Sequence, residues 1–353
     1  MPKIEVVDSG HVDRSDSAFP TLVRLDNGDI ICGFSVGAGP EATGGTHWAR
    51  SRDGGRTWVH EGEILPPTEK PKTSNNLRLS RLADNAVLAY GARDHRDRAV
   101  GPREHPPNEP VLCISKDGAK TWSAPSMIPN PLGVSLEISN PIVATADGRW
   151  LAPAATVRSL DRYGETVVLF ESSDRGKTWP KTHIAFEDPG KKIGYLEQKF
   201  VELKPPRILG VCWTMSYVTD SDLEDHFALS EDGGRTWSKP CSTGIRGQTM
   251  KPMWLGADRL LVLYNRRYGR QGVQMCLVRF TASRWEIDFE GTLWDAQESR
   301  ERSGGADSVD EIKRFAFGYP WPLRLDDRNV LVVHWCKEGQ RFGIRWTRLL
   351  LTP

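Results

Sequence analysis

The sequence predicts an all-β protein, a ring of six four-stranded antiparallel blades known as a β-propeller. Three observations predict it. A turn motif recurs four times, a strand pair recurs six times, and no long helical periodicity interrupts them. Only Asp307 to Arg314 carries a weak helical pattern. The units take up the whole chain, residues 1–353, which reads as one domain.

The turn comes first in the argument because it is the most exact repeat. Its copies are Ser51 to Trp58, Ser115 to Trp122, Ser172 to Trp179 and Ser230 to Trp237, sharing Ser-x-Asp-x-Gly/Ala-x-Thr-Trp. The tryptophans are spaced by 64, 57 and 58 residues, which sets the length of one unit. Ser and Asp side chains satisfy turn amides, and Gly supplies a positive φ. Thr and Trp then open the next strand, with the Trp expected to anchor the turn against its own sheet. The aspartates Asp53, Asp117, Asp174 and Asp232 are therefore occupied by structure, not by chemistry.

Each unit carries an upstream strand pair. The first runs from Phe19 to Phe34, two apolar runs joined at Asn27-Gly28. Counterparts are Leu77 to Tyr90, Ser139 to Ala154, Glu197 to Trp213, Thr249 to Tyr264 and Tyr319 to His334. Thr281 to Trp285 is a degenerate fifth turn. The sixth unit ends one strand short after Phe342 to Trp346, and Lys3 to Asp8 is expected to supply that strand and close the ring.

Composition narrows the function. With 47 Lys plus Arg against 46 Asp plus Glu, the net charge is +1, which removes the electrostatic footprint of a nucleic-acid binder. No stretch approaches the roughly 20 apolar residues of a membrane span, and Met1 to Glu5 lacks a signal-peptide core, so a cytoplasmic protein is expected. The six cysteines are scattered without metal-ligand spacing and read as free thiols. No metal and no cofactor is implied.

The four turns resemble the Asp-box (BNR) repeat of the sialidase superfamily, and the resemblance covers nearly the full chain. It implies a six-bladed propeller whose site lies where the inner strands begin. Those starting positions are Ala18 and Phe19, Asn75 and Asn76, Ile138 and Ser139, Leu196 and Glu197, Gln248 and Thr249, and Gly318 and Tyr319. Sialidases open their first inner strand with an Arg-Ile-Pro element that binds the sialate carboxylate, whereas this chain has Ala18-Phe19-Pro20. Their fourth blade starts with a Glu that polarises a Tyr nucleophile starting the sixth, and Glu197 and Tyr319 stand at those places. Glu41 lies near the place of the family's acid/base Asp, and Arg267 or Arg270 near that of a fifth-blade Arg. The fourth-blade loop, Trp213 to Asp222, contains no arginine. The resemblance thus implies a catalytic group of Tyr319, Glu197 and Glu41 without the arginine triad.

Other mouth residues carry chemistry of their own. Arg93 to Arg98 is read as a charged loop in which His95 serves as a general acid or base and Arg93 as a carboxylate fork. Arg14, Arg158, Arg267 and Arg270 would add to a positive mouth favouring an acidic sugar, and Trp213 would stack on a sugar face. The expectation is an exo-acting glycoside hydrolase on a glycan terminus, with a carbohydrate as partner. Two alternatives stand beside it: a lyase acting on a uronate-containing glycan, with His95, a tyrosine and an arginine as its machinery, and a non-catalytic glycan-binding propeller.

Overall fold

The computed structural model describes residues 3–98, 100–101, 104–296 and 315–352. It is a ring of six antiparallel sheets. Their inner strands begin with Ser17–Arg24, Thr73–Arg81, Ser135–Glu137, Ile193–Glu202, Gln248–Gly256 and Phe317–Arg324. Two blades depart from the plain four-strand plan. In the third, the inner strand is split into Ser135–Glu137 and Val143–Ala144, both paired to Trp150–Ser159. In the fourth, Ser221–Asp222 adds a short strand to Ile208–Ser216. The segment from Asp307 to Arg314 lies outside the described residues, among which the only helix is the single 3-10 turn Gly39–Glu41.

Closure occurs as the sequence predicts and extends further. Lys3–Asp13 pairs antiparallel with Arg341–Thr352, in register from Lys3↔Thr352 to Asp13↔Ile344. The first segment is therefore the outer strand of the last blade, and Ile4 is buried beneath it.

The repeated turns are built by their side chains. Asp53 Oδ1 accepts from the amides of Arg56 (3.0 Å) and Thr57 (2.9 Å), while Oδ2 accepts from Thr57 Oγ1 (2.7 Å). Ser51 Oγ accepts from Gly55 N at 2.8 Å, and the Trp58 indole donates to the Gly55 carbonyl at 3.1 Å. The aspartate bonds recur at Asp117, Asp174 and Asp232.

One expectation is corrected. The tryptophans do not pack on their own sheet alone but on the seam with the preceding blade. Trp122 joins the core between blades 1 and 2, Trp179 that between blades 2 and 3, and Trp237 that between blades 3 and 4. The cause is that each turn leans onto its neighbour. A Cβ on Gly55 would stand 2.5 Å from Leu331 Cδ2 of blade 6, so only glycine permits that approach. Arginines tie the same seams, with Arg348 donating to the Gly54 carbonyl (2.6 Å), Arg50 to Gly118 (2.8 Å) and Arg149 to Gly233 (2.8 Å).

Core residues fill every seam, for example Ile31, Val87 and Cys113 between blades 1 and 2, and Leu209, Val262 and Cys276 between blades 4 and 5. All six cysteines are free; five are buried and Cys241 is half-buried. The second strands outrun their expected ends because pairing to the third strand continues. Arg93, Asp94 and His95 belong to Val87–His95, not to a loop, through pairs such as Arg93↔Glu109. Trp213 likewise lies inside Ile208–Ser216.

Candidate active site at the ring axis

Four inner strands share one distortion at the starting positions singled out in the sequence. Phe19 (φ 56), Glu197 (φ 46), Thr249 (φ 50) and Tyr319 (φ 56) all adopt the left-handed conformation. Strand pairing lapses there, between Ala18 and Thr21, Leu196 and Lys199, Gln248 and Lys251, and Gly318 and Trp321. A left-handed non-glycine residue costs on the order of 1 kcal/mol or more, and a bulge re-aims its side chain. The same cost four times, around one axis, marks this mouth as the place where side chains are aimed.

Tyr319 is buried at the centre. Its hydroxyl accepts from Arg78 Nε at 2.6 Å and donates to the Ser139 carbonyl. Arg78, also buried, lies between two rings, 4.7 Å from the Tyr319 centroid and 5.2 Å from that of Phe19, and its Nη1 donates to Asn76 Oδ1. Lys199 Nζ stands 4.4 Å over the Tyr319 ring and donates to the Glu197 carbonyl at 3.0 Å. Burial pushes the Tyr319 phenol well above its ordinary range, against the pull of Arg78.

Two glutamates of neighbouring blades meet here. Glu137 Oε2 accepts from the Glu197 amide at 3.2 Å, and Glu137 Oε1 accepts from Ser139 Oγ. Burial raises the Glu137 carboxyl well above the usual carboxylate range, Lys199 opposes this, and the Glu197 charge adds to it. The Glu197 Oε2 atom is buried and has no hydrogen-bond partner among the described residues. Glu197 and Tyr319 feel each other's charge, but the phenol's proton goes to Ser139, not to Glu197.

A second group flanks this centre. Arg267 is buried, donating to Gln248 Oε1 (2.7 Å) and to the Phe317 carbonyl (2.5 Å), with its guanidinium 3.6 Å from the Phe315 ring centroid. Burial lowers its pKa to about 10, so it stays charged. Trp213 is fully buried and donates to Asp222 Oδ1 at 2.7 Å, which makes it a wall of the core with no face for a sugar.

The remaining sequence candidates make contacts of their own, with no hydrogen bond to Tyr319, Glu137 or Glu197 among the described residues. Glu41 is exposed on the 3-10 turn, where its carbonyl accepts from Arg96 Nη2 (3.2 Å). Arg93 and His95 both face Glu109, at 2.7 Å from Arg93 Nε and 3.4 Å from His95 Nε2. Arg14 lies against His11 (2.9 Å), Arg158 pairs with Glu165 (3.0 Å) and Arg270 with Asp295 (2.6 Å). Among the described residues, these arginines are engaged with neighbours.

Sequence reasoning missed Arg78, Glu137, Lys199 and Lys251. Three of them sit two residues past an aligned starting position, where Arg78 follows Asn76, Lys199 follows Glu197 and Lys251 follows Thr249. The available signal was a charged residue inside an otherwise apolar inner strand. Among the described residues, no group of three or more His, Cys, Asp or Glu side chains forms a metal site, and no helix is long and apolar enough to cross a membrane.

Solved structures agree on the fold. A protein of unknown function from Dyadobacter fermentans aligns over 100% of both chains at 20% identity, with a TM-score of 0.78. The NanB sialidase of Streptococcus pneumoniae aligns at 12% identity over 98% of this chain and 70% of its own, with a TM-score of 0.62. An α-L-arabinanase of Penicillium chrysogenum aligns at 13% identity over 98% of both, with a TM-score of 0.67. No curated protein matches the sequence. The BNR repeat-like domain model matches residues 99–332, the greater part of the ring, and the chain belongs to that family.

Proposed function

We propose that the protein is a glycoside hydrolase that works on the terminal unit of a glycan from the axial mouth. The observation that carries this reading is the convergence of Glu137 and Glu197, joined at 3.2 Å through the Glu197 amide. Glycosidases need two carboxyl groups held in different protonation states. Burial raises the Glu137 carboxyl above the usual carboxylate range, which suits a general acid, and the unpartnered Oε2 of Glu197 suits the base or nucleophile. A closed floor of Arg78, Lys199 and Tyr319 favours a chain end over a chain middle. The engaged state of the arginines favours a neutral sugar over an acidic one. The propellers of the sialidase and the arabinanase, which share this architecture, support the class of reaction.

A second reading rests on one contact. The Arg78 guanidinium at 2.6 Å from Tyr319 Oη would stabilise a phenolate, so Tyr319 is the competing nucleophile. A panel of aryl glycosides, including α-L-arabinofuranosides, sialosides and uronides, tests the proposal. Release of aryl alcohol, lost at least about a hundredfold in Glu137→Gln and in Glu197→Gln, is expected. A 2-fluoro sugar adduct mapped to Tyr319 would move the nucleophile there. An unsaturated, ultraviolet-absorbing product from uronate glycans would make the protein a lyase, and binding without turnover would leave a recognition module.

A further inference from the structure

Below the mouth, a second tier of side chains projects from the inner strands. Lys199 and Lys251 come from adjacent blades, each at the residue where pairing resumes after the bulge. Trp321 holds the same place in blade 6. The Tyr319 and Trp321 rings are parallel, with centroids 6.1 Å apart and 6° between their planes. Lys199 Nζ lies 4.4 Å from the first centroid and Lys251 Nζ 4.1 Å from the second, so the two amines descend the same wall in step.

Their surroundings differ. Lys199 is compensated by Glu197 and Glu137, with Arg78 opposing. Lys251 has no carboxylate partner among the described residues. Its one polar contact is the Phe200 carbonyl at 3.4 Å, and the only charge acting on it strongly is the like charge of Lys199. It is 7% exposed and Trp321 is 6% exposed. An ammonium group taken out of water needs an anion or must lose its proton. A ring face supplies only part of that compensation.

We infer that the buried amines of Lys251 and Lys199 together bind a small monovalent inorganic anion of the halide class. The burial of Lys251 and Trp321 favours a small ion over a larger carboxylate. Burial and the Lys199 charge bring the Lys251 amine down to about 7, so at neutral pH the ion and the proton bind together. The site would add a negative charge beneath Lys199 and so adjust the electrostatics of Glu137. It stands on Lys251 and Trp321 whether or not the protein hydrolyses glycosides.

The test needs no substrate. Chloride is titrated against gluconate at constant ionic strength, and binding is read by 35Cl line broadening and by melting temperature. The wild-type protein is expected to show saturable broadening and a matching rise in melting temperature. Lys251→Met should lose both, and Lys251→Arg, which keeps the cation, should keep them. Melting curves without chloride check that both variants are folded. Broadening in Lys251→Met equal to wild type, or none in wild type, overturns the site.

Discussion

Arg78 Nε donates to Tyr319 Oη at 2.6 Å, and the same hydroxyl donates to the Ser139 carbonyl. Three blades, the consecutive second and third and the distant sixth, are thereby joined at one oxygen. The split inner strand of blade 3 makes this possible. Between its two pieces the chain leaves the ladder, so the Ser139 carbonyl faces the axis and Asn140 Oδ1 accepts from Phe200 N at 3.1 Å.

Tyr319→Phe should therefore destabilise the fold as well as affect turnover. The change strands a buried charged donor and a buried carbonyl, a loss of about 1–3 kcal/mol. Urea unfolding measures it. Arg78→Met combined with Tyr319→Phe should cost less than the sum of the two single changes, because both remove the same bond. Strict additivity would show that the two residues are not coupled.

The repeated turns set the acid limit of stability. Hydrogen bonds from Thr121 and Thr178 hold Asp117 below the usual carboxylate range and bring Asp174 down to about 2. A carboxylate with a depressed folded pKa contributes stability that is complete above the unfolded value, about 3.9, and is lost as pH falls through the folded one. Melting temperature should accordingly drop between about pH 4 and pH 2. Asp174→Asn should lower stability at pH 7 and flatten that acid slope. An unchanged slope in the variant would remove this aspartate from the account.

Ring closure is a long-range event. Thr352 Oγ1 donates to the Lys3 carbonyl across 349 residues of chain. Deleting residues 1–9 uncovers the edge of Arg341–Thr352 and exposes part of the last seam. A sharply lower melting temperature and concentration-dependent association at the bared edge are expected. Light scattering and a thermal melt would reveal a truncated protein that behaves as the intact one, and that result would refute the role of the strand.

Ordinary sialosides should be poor substrates. At the place of the carboxylate-binding arginine stands Ala18, and its neighbour Phe19 packs edge-on to Tyr319 (5.6 Å) and Trp335 (6.0 Å). One missing charge-assisted contact of about 1.5–3 kcal/mol corresponds to roughly ten- to a hundredfold in kcat/KM. A fluorogenic sialoside turned over as fast as the best neutral glycoside would show that another cation has assumed the role.

The fold was legible because its signals are local. An eight-residue turn whose Asp and Ser bond their own backbone reads the same wherever it falls, and four copies mark four blades. The mouth was half legible. Strand starts identified Glu197, Tyr319 and Phe19, since the bulge falls at those positions. Glu137, Arg78, Lys199 and Lys251 were not, because their meeting depends on how far six separate strands advance toward one axis. The arginines of the mouth loops misled for a related reason. Their partners, such as Glu109 for Arg93, lie on the adjoining strand, and only the pairing register brings them opposite.

The left-handed bulge carries an evolutionary consequence. Because the ladder skips that residue, backbone pairing does not fix which side chain it carries. Within this one chain the same backbone shape presents a phenyl ring at Phe19, a carboxylate at Glu197, a hydroxyl at Thr249 and a phenol at Tyr319. Each of these four blades thus offers a socket of the same shape. A single codon change there can alter what the mouth recognises without breaking the strand ladder, which is how one ring comes to host unrelated chemistries.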